Sequence, residues 1–191
     1  MTLKPGGLSS TKWDLDKIVT FDIETEGWTD PVSIGALHPQ GEYRAWNTGK
    51  DDDPIGEFIN YMMKPVFRGF RFVAHNGGKF DFGFILTRLL ERDDTSVQIL
   101  KNGGGRLFLI TITDEHGHNR YLQDSFALLP RDLDSLMEAY TDMEVEEFDE
   151  EEYDRISQNW ESMDQEFRNR LSSYLKNDCE GLRKVLEGFT D

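Results

Sequence analysis

The spacing of apolar residues changes several times along the chain, and the resulting order of strand and helix patterns limits the fold more than any other feature. The first part of this order begins with three strands, at 17–24, 32–38 and 42–46. A helix follows at 54–67, then a strand at 70–75 and a second helix from Phe80 onward. A Pro-Gln-Gly turn joins the second and third strands, so the first three strands predict an antiparallel meander. Asp53 and Pro54 supply an N-cap and a first-position proline to the first helix.

The second part of the order adds three strands and two helices. The strand patterns lie at 97–100, 106–113 and 120–123. Helix is predicted from Leu129 onward and again over 163–189, where Asp164 is a candidate N-cap. The complete order predicts an α/β fold with a mixed sheet flanked by helices.

Length and composition limit the organisation and the location of the chain. Its 191 residues are enough for one buried core, so we expect an N-terminal segment at 1–16 and a single domain at 17–191. The apolar runs are far shorter than the roughly 20 residues of a membrane span, and no basic-then-apolar leader opens the sequence. The lone cysteine, Cys179, cannot form an internal disulfide. These features predict a cytoplasmic protein with no membrane partner.

The charge of the chain is strongly negative and unevenly distributed. There are 37 Asp and Glu against 21 Lys and Arg, and residues 132–154 hold twelve acidic residues and no Lys or Arg. Residues 64–106, in contrast, hold eight basic and four acidic residues. The acidic run is typical of a solvated face. The basic stretch leaves room for a partner with a phosphate backbone, which evenly spread negative charge would repel.

Two carboxylates in the first strand are the strongest sign of chemistry. Asp22 and Glu24 are two residues apart, so both side chains leave the same face of the sheet near the end of the strand. Like charges at this distance raise each other's pKa, and a divalent metal ion is the usual reason for their proximity. The pair therefore predicts a metal site, with chance proximity in an acidic chain as the alternative.

Two further motifs lie where a site can form. His75 and Asn76 end a strand, a glycine pair follows, and Phe80 and Asp81 begin a helix. The ends of strands in α/β sheets are where ligands bind. In the last helix, Tyr174 and Asp178 are four residues apart and share one face, a pattern that is also common for a core tyrosine beside a surface acid.

Together these motifs resemble a known family. Phe-Asp-Ile-Glu-Thr at 21–25, His-Asn at 75–76 with Phe-Asp at 80–81, and Tyr-Leu-Lys-Asn-Asp at 174–178 occur in this order over residues 18–189. The set resembles the 3′-to-5′ proofreading exonuclease domain (DEDDy type) of family B DNA polymerases. It is most similar to the protein-primed polymerases of phages, viruses and linear plasmids. The resemblance implies a ribonuclease H-like fold and cleavage of single-stranded or frayed DNA 3′ ends.

The resemblance also implies a role for each residue of the site. Two Mg²⁺ or Mn²⁺ ions would stabilise the attacking and leaving oxygens of a phosphodiester displacement. Asp22 would bridge both ions, Glu24 and Asp178 would complete one ion's site, Asp81 would serve the other, and Tyr174 would orient the attacking water. The residues implied as contacts to the 3′ end of a DNA strand are Thr25, His75, Asn76, Phe80, Ser125 and Phe126.

Three departures from the family pattern affect these expectations. Protein-primed relatives carry a lysine between the second and third motifs, but 132–154 has no basic residue, and Lys79 can replace that lysine only if it faces the site. Phe126 stands where the strand-binding motif of the family has leucine. The sequence also ends without the polymerisation domains, which leaves a stand-alone nuclease or the proofreading part of a longer or split polymerase.

Other interpretations remain open at this stage. The rivals are an exonuclease that acts on RNA and a catalytically weak module that binds single-stranded 3′ ends, with a DNA polymerase as a candidate partner. Excess of Asp over Glu and of Arg over Lys suits a high-salt organism, or its virus or plasmid. His116 and His118 favour a polar hairpin turn over a zinc site.

Overall fold

The structure is a computed structural model, and it describes residues 13–26, 29–47, 53–145, 148–149, 151–152, 154–155 and 163–190. Residues 1–12 of the expected N-terminal segment 1–16 lie outside the described residues. Among the described residues, no helix is both long and apolar enough to cross a membrane.

Seven described strands form one sheet. They are β1 (Ile18–Glu26), β2 (Asp30–Leu37), β3 (Tyr43–Asn47), β4 (Arg71–Ala74), β5 (Thr95–Lys101), β6 (Leu107–Asp114) and β7 (Asn119–Asp124). Their order across the sheet is β3-β2-β1-β4-β7-β6-β5. The neighbours β1, β4 and β7 are parallel, whereas the β1–β2, β2–β3, β6–β7 and β5–β6 pairs are antiparallel. The expected mixed sheet and the initial meander are therefore confirmed, and the ends of β1, β4 and β7 meet at one edge.

Helices cover both faces of this sheet. They are α1 (Pro54–Met62), α2 (Asp81–Leu90), α3 (Leu133–Tyr140) and α4 (Gln165–Thr190). The main core joins one face of β1, including Phe21, to α1 and α2. A second core joins Ile18 of β1 and Val73 of β4 to α3 and α4. Successive residues of β1 thus point to opposite helical layers, as the period of a strand requires.

Two predicted helices begin or end at other residues than the sequence indicates. Helix α1 ends at Met62 rather than near Phe67, because Lys64 precedes a proline and adopts an extended conformation (ψ 145°). The helix expected from Leu129 onward begins only at Leu133, after Pro130, and the side chain of Asp132 caps it by accepting from the backbone N–H of Ser135.

The predicted hairpin turns are confirmed. In the β6–β7 turn, a carboxylate oxygen of Asp114 accepts from the backbone N–H groups of His116 and His118, and Gly117 has φ +81°. In the β5–β6 turn, the side-chain oxygen of Asn102 accepts from the N–H groups of Gly104 and Arg106. These bonds give His116 and His118 the polar hairpin environment that the sequence predicts.

Candidate active site

Strand β1 presents its acidic residues to helix α4. Phe21 and Ile23 lie in the main core beside α1 and α2, so Asp22 and Glu24 emerge on the opposite face. The neighbouring Thr20 fixes this face against α4, because its hydroxyl donates to the carbonyl of Cys179 over 2.7 Å. The alternation of β1 thus brings both carboxylates towards the helix that carries Asp178.

Three carboxylates meet between β1 and α4. One oxygen atom from each of Asp22, Glu24 and Asp178 lies within 4.8 Å of the others. Asp22 and Glu24 are half-buried, and Asp178 is buried. Three acids gathered in this space repel one another unless protons or cations reduce their charge.

The ionisation of the cluster reflects this crowding. Burial raises the pKa of Asp22 to about 6, although a hydrogen bond from the backbone of Ile23 opposes the shift. Burial also raises the pKa of Glu24 well above its usual value, and repulsion from Asp22, Asp178 and Asp81 adds to the increase. A neighbouring divalent cation would reverse these shifts, because it favours the charged form of each acid.

Asp81 lies beside the cluster but outside the group of three. It begins helix α2, and it lines the same groove as Asp22 and Glu24. Burial raises the pKa of Asp81 well above its usual value, with repulsion from Asp22 and Asp124 as the next causes. The four acidic residues therefore form a group of three on the β1–α4 side and a single carboxylate on the α2 side.

A groove of about 320 Å³ runs over the acidic residues of β1 and α2. It is lined by Asp22, Ile23, Glu24, Thr25, His75, Asn76, Lys79, Phe80, Asp81 and Phe84. Four of the predicted strand contacts, Thr25, His75, Asn76 and Phe80, are thus brought to one surface. Phe80 keeps 38% of its surface exposed, which is uncommon for a core aromatic residue.

The other two predicted contacts, Ser125 and Phe126, do not line the groove; they lie behind His75, and Ser125 is fully buried. The side-chain oxygen of Ser125 lies 2.9 Å from His75 Nδ1, and the rings of Phe126 and His75 lie 5.7 Å apart. His75 Nε2 lies 2.7 Å from the carbonyl oxygen of Arg131. Burial lowers the pKa of His75 and favours the neutral ring. Nε2 then carries the proton, and Nδ1 accepts from the Ser125 hydroxyl.

Tyr174 shares helix α4 with Asp178 and precedes it by about one turn. Its ring packs edge-on against Phe148, with the centroids 4.5 Å apart. Both aromatic residues belong to a third apolar cluster that includes Phe167 and Leu171. The cluster fixes the ring of Tyr174 on the α4 side of the acidic residues.

Some groove residues were not candidates from the sequence. Lys79, which the sequence analysis treats as relevant only if it faces the site, lines the groove, and its Nζ lies 4.9 Å from the centre of the Phe80 ring. Phe84 also lines the groove, and its signal was the apolar spacing of α2. Arg106 does not line the groove but contacts Asn76, which does; it was missed because Asn76, in the turn after β4, and Asp124, in β7, are far away in sequence.

The residues present fit a hard divalent cation. The cluster offers carboxylate oxygens only, which are the ligands that Mg²⁺ and Mn²⁺ prefer. Burial is the main cause of the raised pKa values of Asp22 and Glu24, and no Lys or Arg is among the causes of either shift. Asp22, Glu24 and Asp178 could therefore hold such an ion.

Comparisons with known proteins give consistent matches. No protein-family model matches the chain. The "DNA-directed DNA polymerase" of Enterobacteria phage PRD1 is 29% identical over 178 residues, which are 91% of this chain and 27% of that protein. Phi29 DNA polymerase complexed with single-stranded DNA superposes with a TM-score of 0.65 and 18% identity, over 88% of this chain and 30% of the polymerase.

A cellular polymerase has the same fold. The family B DNA polymerase from the archaeon Pyrobaculum calidifontis matches with a TM-score of 0.60 and 18% identity, over 86% of this chain and 24% of that one. The chain thus spans 24–30% of the length of these polymerases. These matches confirm the ribonuclease H-like fold and the resemblance that the sequence motifs indicated. The chain is a homologue of a phage DNA polymerase and has the fold of the exonuclease region of family B DNA polymerases.

Proposed function

We propose that residues 17–191 form a single exonuclease domain, which removes nucleotides from single-stranded or frayed DNA 3′ ends in a metal-dependent reaction. The observation that carries this proposal is the group of three carboxylates, Asp22, Glu24 and Asp178, beside a groove lined by residues suited to a nucleic-acid strand. The similarity to a phage DNA polymerase and the fold of polymerases solved with DNA support the same conclusion.

The acidic residues would hold the metal ions. Asp22, Glu24 and Asp178 would bind one ion, and Asp22 with Asp81 would bind a second. Bound ions of this class neutralise the charge of the reacting phosphate and lower the pKa of a water molecule. We assign to Tyr174, one helical turn from Asp178, the task of orienting that water molecule.

The remaining groove residues would hold the strand without reading its sequence. Phe80 and Phe126 offer ring faces on which any base can stack. Thr25 and Asn76 carry polar groups that suit sugar and phosphate oxygens, whereas His75 and the buried Ser125 bond to each other and would support the surface that holds the strand. Lys79 is an exposed cation at the groove and supplies positive charge near the reacting phosphate, in place of the lysine that the 132–154 stretch lacks.

The test uses single-stranded DNA labelled at either end, incubated with Mg²⁺, Mn²⁺ or EDTA. We expect a ladder that shortens from the 3′ end, disappears with EDTA and disappears in Asp22→Ala. An RNA of matched sequence in the same assay tests whether the protein cleaves DNA in preference to RNA. Binding of the strand without cleavage in any metal would contradict the proposal in favour of a module that only holds 3′ ends.

Association with a DNA polymerase is the second part of the proposal. It rests on the similarity to the phage PRD1 DNA polymerase, and it holds whether the polymerase is a separate protein or part of the same polypeptide. Copurification with a polymerase from the source cells, and a lower error rate of that polymerase in the presence of the chain, would support it. An unchanged error rate would favour a stand-alone nuclease.

A further inference from the structure

We propose that Arg106 is a positioning residue for strand binding: it orients the Asn76 amide and the Phe126 ring towards the groove. This inference rests on the proposed function, because both partners are proposed strand contacts. Arg106 lies between the β5–β6 turn and β6, and it does not line the groove itself. Its effect would therefore pass through the two side chains that it touches.

A buried ion pair anchors the guanidinium group of Arg106. The carboxylate of Asp124 at the end of β7 is fully buried; Arg106 donates to its Oδ2 from Nε at 2.8 Å, and Nη2 of Arg106 lies 2.6 Å from the same oxygen. The other oxygen of Asp124 accepts from the backbone N–H of Phe126 at 3.0 Å. The fork of donors on an arginine suits such paired contacts, which fix the plane of the group.

The same guanidinium group determines which way the Asn76 amide points. Nη2 of Arg106 donates to Asn76 Oδ1 over 2.7 Å. Because the guanidinium group can only donate, the Asn76 atom that faces it must be the amide oxygen and not the amide nitrogen. The Asn76 nitrogen and its two hydrogens are therefore left for another acceptor. Asn76 lines the groove, and the oxygens of a nucleic-acid backbone are such acceptors.

The backbone at Asn76 is left-handed. Asn76 has φ +61°, the one positive value at a non-glycine residue within the described chain. Asparagine tolerates this conformation better than most residues with a side chain, and the Arg106 contact holds its amide in one orientation there. The next turn is fixed as well, because Leu107 donates its N–H to the carbonyl of Gly78, and a Cβ atom at Gly78 would collide with the Leu107 carbonyl.

Arg106 also holds the ring of Phe126. The central carbon of its guanidinium group lies 4.2 Å from the ring centroid, a cation–π contact that orients the ring. Through the Asp124 pair, one arginine thus connects the beginning of β6, the turn after β4 and the end of β7. Asn76 lies in the turn after β4, and Phe126 follows the end of β7.

The experiment compares Arg106→Lys and Arg106→Gln with the native protein in 3′-end cleavage and in direct binding of single-stranded DNA. Arg106→Lys keeps the charge opposite Asp124 and preserves folding, but a lysine cannot bridge two acceptors as the guanidinium fork does. We expect a KM raised about 10- to 100-fold in both variants, the range typical of lost orienting partners, with kcat changed less than about threefold. Arg92→Gln, which loses an exposed pair with Asp94, is the matched control and keeps the native KM.

A double-variant cycle distinguishes positioning from general stability. If Arg106 acts through Asn76, Asn76→Ala should raise KM in the native background but add little to Arg106→Lys. The inference would be overturned by a native KM in Arg106→Lys, or by effects of Arg106→Lys and Asn76→Ala on KM that multiply fully in the double variant. Cleavage by the native protein would still support the proposed function in either case. If the native protein neither binds nor cleaves single-stranded DNA, both conclusions fall.

Discussion

Two sets of inward-facing acidic residues in this protein have opposite surroundings. Asp124 and Asp114 each face an arginine: Arg106 lies 2.6 Å from Asp124, and the buried Arg120 lies 2.8 Å from Asp114. Asp22, Glu24 and Asp178 face one another. Arg120 also donates to backbone carbonyls after α1, at Met62 and Met63, so its pair joins two parts of the fold.

The difference separates acids that face an arginine from acids that face one another, and it appears in their pKa values. Interaction with Arg120 holds the pKa of Asp114 well below its usual value, whereas burial raises the pKa of Asp22 to about 6. A carboxylate whose charge is already balanced has little to gain from a metal ion. Carboxylates that repel one another would gain from a metal ion, because the ion offsets the repulsion that helps to raise the pKa of Glu24.

The largest expected effect tests the clustered acids directly. Asp22→Ala should reduce 3′-end cleavage by more than about 100-fold, because loss of a metal ligand exceeds the 10- to 100-fold cost typical of an outer partner. Cleavage is measured as the initial rate in Mg²⁺. Glu57→Gln, at an exposed acid of α1, is the control and should retain the native rate. Equal rates in the Asp22→Ala and native proteins would remove Asp22 from the reaction.

The paired acids should respond in stability instead of activity. Arg120→Met removes the partner of Asp114 and the buried donor to the carbonyls of Met62 and Met63, and the unsatisfied carbonyls should lower the free energy of unfolding by about 1–3 kcal/mol. Denaturant unfolding measures this loss. Cleavage assayed well below the unfolding temperature should keep the native KM and kcat. A changed KM in folded Arg120→Met would mean that structural and functional pairs cannot be separated in this way.

The pH dependence of stability should differ between the two sets. With no metal present, the raised pKa of Asp22 means that the folded protein retains a proton that the unfolded chain loses near pH 4. Asp22 therefore makes folding less favourable as pH rises from about 4 through 6. Asp22→Asn removes this loss and should be about 1–3 kcal/mol more stable than the native protein at pH 7, since one pKa unit is worth about 1.4 kcal/mol.

Metal ions should reverse that order of stability. Mn²⁺ should raise the unfolding temperature of the native protein, more strongly at pH 7 than at pH 5, because binding requires ionised carboxylates. Asp22→Asn should show little increase. Thermal unfolding with and without EDTA at the two pH values measures both effects. Parallel pH profiles for the two proteins would contradict the shifted ionisation of Asp22.

Most of the fold could be predicted from the sequence, because local signals coincide with the final structure. Alternating apolar residues located β1, and Asp53 with Pro54 located the beginning of α1. Errors occurred at ends of helices. Apolar residues continue past Met62, but Pro65 prevents further helix, and Pro130 delays α3 until Asp132 can cap it. Periodicity alone does not report these limits.

The acidic site could be predicted only in part. The spacing of Asp22 and Glu24 fixes their common face, and that face indeed lies towards α4. The distance to Asp178 depends on how α4 packs across β1, which local spacing does not determine. The contacts of Arg106 depend on the adjacency of β4, β7 and β6 in the sheet. Residues that act through long-range partners are therefore the ones that a single sequence conceals.

Exposed acids that are neither clustered nor paired provide the smallest test. In the run 132–154, Asp142 and Glu144 are both exposed, and neither belongs to the group of three carboxylates. Their charge should only repel a DNA strand that approaches the protein. Asp142→Asn with Glu144→Gln should increase cleavage about two- to threefold at low ionic strength and leave it unchanged near 1 M salt, where charges are screened beyond about 3 Å. Initial rates over a salt series measure the effect. An increase that persists at high salt would show that these acids contact the strand or the site directly, and would place them with the clustered carboxylates.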